Sequence, residues 1–201
     1  MFGGILRTSI LLMVVVAFAA PDVHADQIVY DFSAPQFITG LPTPLSNRAP
    51  NVGPATFLAT FVSDPNSTAF RVQNNPLNDL FSGPNLRLFD FTPPLDTLTI
   101  TFNTPVFQAA LDFGVLGAGT VTLATALGSV TQSSAVVGGM FQGGSLFFSS
   151  FTPFTQLQVS SSSIFGIDNL VLNTAPIPEP SSLLLLGTGL LVMLGRLSLR
   201  R

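Results

Sequence analysis

Cysteine, tryptophan and lysine are absent from this 201-residue chain, and histidine, tyrosine and glutamate occur once each. Only 8% of the residues are charged. Without cysteine no disulfide can staple the fold, so buried apolar surface must hold it together. The lone histidine, His24, lies near the N-terminus and the lone glutamate, Glu179, near the C-terminus. The body between them, residues 26–175, has no His, Cys, Lys or Glu. Zinc and copper sites thus lack their nitrogen and sulfur ligands. A nucleophilic triad lacks its base. Aspartates and Tyr30 are the ordinary acid–base candidates left, so the chain is not expected to be an enzyme. An aspartate pair cleaving a glycosidic bond stays open as an alternative. The same body holds eight aspartates and three arginines, a net charge of −5. Such a surface cannot neutralise a phosphate backbone, and no nucleic-acid partner is expected.

Two apolar runs stand out against this background. Near the N-terminus, Arg7 precedes the uncharged run Ile10 to Ala20, and Val23-His24-Ala25 follows it. A positive start, a short apolar core and small residues at −3 and −1 read as a secretory signal peptide, residues 1–25, cleaved after Ala25. Near the other end, Pro176-Ile-Pro-Glu-Pro leads into the uncharged stretch Ser181 to Gly195, then Arg196, Arg200 and Arg201. That stretch falls short of the ~20 residues that cross a hydrocarbon core, but with its flanks it spans a thin bilayer. The arginines place this end in the cytoplasm. The prolines keep the preceding segment extended and open to a protease.

Pro178, Glu179 and Pro180, the hydrophobic stretch and the basic tail occur in the order found in PEP-CTERM proteins, and residues 176–201 resemble their sorting signal. The resemblance implies export by a Gram-negative bacterium. It also implies a precursor held in the cytoplasmic membrane, cleavage by an exosortase, and delivery to the cell surface or an exopolysaccharide matrix, as in biofilms.

Residues 26–175 read as one all-β domain. Thr97 to Phe102 and Gly119 to Leu127 alternate polar and apolar residues, as half-buried strands do. Similar short segments recur at Gln27–Phe32, Thr56–Val62, Thr68–Gln73, Leu86–Phe91, Val106–Phe113, Ser129–Val136, Ser145–Ser149, Thr155–Ser160 and Asp168–Asn173. Turn residues separate them, among them Asn103-Thr104-Pro105. The five prolines from Pro35 to Pro54 predict a long surface loop, and Gly138-Gly139 with Gly143-Gly144 predict a hairpin loop. Many short strands with regular turns predict a two-sheet, jelly-roll-like β-sandwich packed by phenylalanine. The signal peptide and a C-terminal hydrophobic helix would flank it.

Phe165-Gly-Ile-Asp-Asn-Leu170 resembles a pattern near the end of PEP-CTERM middle domains and of carbohydrate-binding jelly rolls. In the latter, a carboxylate on this strand helps ligate a structural calcium. The resemblance makes Asp168 the ligand, with Asp31 or Asp26 as partner. The alternative is that Asp168 and Asn169 hydrogen-bond a turn. Sugar-binding sites often stack rings on Trp or Tyr, and most of the 19 phenylalanines are expected in the core. A carbohydrate-binding module is therefore a second reading of the domain, behind a structural or adhesive matrix protein.

Overall fold

The computed structural model describes residues 26–33, 35–74, 81, 83–89, 95–135 and 140–175. The signal peptide with its cleavage at Ala25, the Pro178–Glu179–Pro180 motif, the hydrophobic helix and the arginine tail lie outside them. Among the described residues there is no helix, and so none long and apolar enough to cross a membrane.

The described chain is all-β. Its strands are β1 (Gln27–Tyr30), β2 (Leu45–Arg48), β3 (Ala59–Asp64), β4 (Phe70–Gln73), β5 (Asn85–Leu88), β6 (Thr97–Leu116), β7 (Thr120–Thr125), β8 (Gly128–Ser133), β9 (Phe141–Ser161) and β10 (Phe165–Asn173). All their pairings are antiparallel.

The expected pair of separate sheets is instead one continuous sheet, because β6 and β9 run through both halves. The first part of β6 pairs with β3 and the last part of β9. The second part of β6 pairs with β10 and the first part of β9. Register shifts between Thr101 and Val106 and between Val106 and Gln108 mark the bend. An irregularity of this kind bends a strand without ending it. The Asn103-Thr104-Pro105 turn expected from sequence is therefore a kink within β6.

The two halves enclose one core. Phe61, Leu98, Ile100, Leu157 and Val159 from one half join Ile28, Leu111, Phe113, Ile167 and Leu172 from the other in a single buried cluster. Tyr30, Phe32, Phe37 and Phe61 pack edge to face within it, with ring centroids 5.1 to 6.3 Å apart. Each such pair adds about 0.5–1.5 kcal/mol beyond its buried area.

One loop expectation is corrected, and one pair of glycines has a further role. The proline-rich stretch Pro35 to Pro54 contains β2, which pairs with β3 and buries Leu45. Gly143 and Gly144 lie inside β9. Gly144 is opposite Phe113, and a Cβ there would meet Phe113 Cζ at 2.6 Å. The glycine makes room for a core ring. Gly143 exchanges backbone hydrogen bonds with Ala135, at 2.8 and 3.2 Å, in an antiparallel bridge, and Gly138-Gly139 lie outside the described residues.

Candidate functional site

The clearest polar constellation sits on β10, where an extra residue is inserted. Ile167 pairs with Phe113 and Asp168 with Asp112, and the register then shifts before Val171 pairs with Ala110. Asn169 and Leu170 therefore stand where β6 supplies Leu111 alone. Asn169 takes up the excess in the left-handed region, with φ of 49°. Asparagine tolerates this conformation better than other non-glycine residues.

Alternation sends Ile167 and Phe113 into the core, so Asp168 and Asp112 turn to the opposite face. Asp168 is only 3% exposed. Its Oδ1 accepts the N–H of Asn169 at 2.8 Å. Burial pushes its carboxyl up to about 7; the Asn169 N–H opposes this, and the charges of Asp31 and Asp112 add to it. Asp112 accepts Ser145 Oγ at 2.6 Å and Asn169 Nδ2 at 2.9 Å. Asp31 Oδ1 accepts the N–H and the hydroxyl of Ser33, at 2.9 and 2.6 Å.

The fold thus brings Asp168 and Asp31 into electrostatic reach of each other, and adds Asp112 and Ser145, which sequence reasoning had not singled out. The outward position of Asp112 beside Leu111 and Phe113 was the available signal. Asp26 enters no described interaction with them. Among the described residues, no three Asp, Glu, His or Cys side chains converge as a metal site requires. Asp168 and Asp31 each accept local hydrogen bonds at Oδ1, and their geometry suits bracing of the bulge and of the turn after β1.

Tyr30 is fully buried, and its hydroxyl donates to the carbonyl of Arg48 at 3.1 Å. Burial raises its pKa well above the phenol value. It braces β1 against β2, with no route to a substrate. Asn66 Oδ1 accepts the N–H and hydroxyl of Thr68, at 3.1 and 3.0 Å, so Asn66-Ser67-Thr68 forms a side-chain-capped turn. Three phenylalanines are largely exposed: Phe89 (48%), Phe147 (56%) and Phe151 (78%). Arg71 and Arg87, opposite each other on β4 and β5, stack on Phe89 and Phe141 at 4.9 and 5.0 Å.

Residues 176–201 match the family model described as the PEP-CTERM protein-sorting motif. No curated protein matches the sequence. Several solved structures are similar at low TM-score. A family 6 carbohydrate-binding module is 16% identical over 55% of this chain and 86% of its own, with a TM-score of 0.37. A family 29 carbohydrate-binding module solved with mannohexaose is 11% identical over 77% of this chain and 95% of its own, also at 0.37. The enzymatically active domain of bacteriophage CBA120 tailspike protein 4 is 15% identical over 58% of this chain and 18% of its own, at 0.31.

Proposed function

We propose that this is an exported, non-enzymatic surface protein, sorted and cleaved by an exosortase through residues 176–201, whose β domain associates with exopolysaccharide. The observation that carries the reading is the match of those residues to the PEP-CTERM protein-sorting motif. The signal-peptide pattern of residues 1–25 supports it from the other end.

The β domain supports a binding or structural role over catalysis. A general acid must touch the oxygen it protonates. Asp168 has a raised pKa, the usual mark of such an acid, yet it is 3% exposed and bonded to its own neighbour. The exposed phenylalanines favour the carbohydrate-binding reading over a purely structural one.

Fractionation of cells that contain an exosortase tests the sorting. The wild-type chain is expected at the surface with its tail removed, and Glu179→Ala as an uncut precursor in the membrane. If Glu179→Ala were cleaved and delivered like the wild type, the triplet would not be the signal.

A further inference from the structure

The half of the sheet that contains β1, β10, β6 and β9 carries its outward side chains in three parallel rows. In the middle row, Val52, Val29, Val171, Ala110 and Phe147 stand opposite one another in register, from the bridge at Val52 across to β9. Their chain neighbours Ile28, Leu172, Leu111 and Leu146 are buried, so alternation points the middle row away from the core. Four strand spacings give it a length of about 19 Å. Val52 and Phe147, at its ends, are each 56% exposed.

Hydrogen-bonding groups flank this apolar row on both sides. Gln27, Asn173, Gln108 and Ser149 form one flank, also in register, and Asn173 Nδ2 donates to Gln108 Oε1 at 2.8 Å. The other flank is the Asp31, Asn169, Asp112 and Ser145 edge described above. None of the three rows contains a cationic side chain. An apolar strip with amides along one edge and carboxylates along the other complements a molecule with flat C–H faces and hydroxyl edges. A pyranose ring is such a molecule. Aspartates on one flank repel a uronate or sulfated sugar. An anionic membrane would need the lysines or arginines that this face lacks.

We propose that this face binds an extended neutral polysaccharide, laid across the strands from Val52 to Phe147. Ring C–H faces rest on the apolar row, and hydroxyls bond the amide and carboxylate rows. The inference rests on the surface-protein reading and gives its polysaccharide association a location and a ligand class.

The test is titration calorimetry of the full chain in detergent with neutral hexasaccharides of glucose and of mannose, and with a hexauronate. Saturable binding of a neutral hexasaccharide and none of the hexauronate is expected. Phe147→Ala and Val52→Ser should each raise Kd tenfold or more. Leu127→Ala, at the exposed β7–β8 turn, should leave Kd unchanged. Unaltered melting temperatures will show that the variants fold. Both exposed positions leave the core intact, so one failed variant leaves the other informative. Neutral-sugar binding that survives both substitutions would overturn the face while leaving polysaccharide association standing. Absence of neutral-sugar binding, or preference for the hexauronate, would overturn the ligand class. Self-association abolished by Phe147→Ala would give the face to a second copy of the chain. Failure of the surface reading itself would appear in cell fractionation, independently of these titrations.

Discussion

Asn169 Nδ2 donates to Asp112 Oδ2 at 2.9 Å and so ties the extra residue of β10 to the strand beside it. The same residue sits at a φ of 49°, which its side chain makes tolerable. Asn169→Ala is expected to lose both the hydrogen bond and the tolerance of this conformation, costing about 1–3 kcal/mol. Asn169→Gly keeps the backbone and should cost less. Urea unfolding measures both, and equal losses would mean that the conformation plays no part.

Asp168 titrates near 7 in the folded protein, against 3.8 for the free side chain. Between those values the folded state holds the extra proton, so this group's contribution to stability falls as pH rises from about 4 to 7. The melting temperature of the wild type relative to Asp168→Asn should therefore decline across that window and level off above it. A difference that rises with pH would contradict the assignment.

A calcium ion on Asp168 and Asp31 would favour the ionised carboxyl and flatten that decline. Because no third carboxylate converges on the pair among the described residues, millimolar calcium is expected to leave the melting temperature unchanged. A rise on adding calcium, abolished by EDTA or by Asp168→Asn, would assign the pair to a cation.

Gly144→Ala places a methyl against the Phe113 ring, 2.6 Å from Cζ. Phe113 is 1% exposed and has little room to retreat. A loss of about 1–3 kcal/mol is expected from overpacking. Denaturant unfolding reads it as a lower midpoint at unchanged slope, and an unchanged midpoint would contradict the packing described.

Strands were legible wherever one face is buried and the other wet. Thr97 to Phe102 alternates cleanly because Leu98, Ile100 and Phe102 enter the core. Continuity was not legible: Pro105 suggests a turn by local chemistry, yet β6 passes through it because neighbours on both sides pair with each half. β2 was hidden by the flanking prolines Pro44 and Pro50, which tell of restricted φ but not of a partner strand. Asp168 could be singled out by its motif, whereas its pairing with Asp112 is a matter of register. The row from Val52 to Phe147 is of the same kind, since its members are scattered along the chain and aligned only by the ladder.

Sorting through residues 176–201 is read out by the intact mass of the mature chain recovered from the surface of cells with an exosortase. The expected product begins at Asp26 and has lost the hydrophobic and arginine-rich end of residues 181–201, and the chain stays uncut when the exosortase is deleted. A surface chain that keeps those residues, or is trimmed equally without the exosortase, would contradict it.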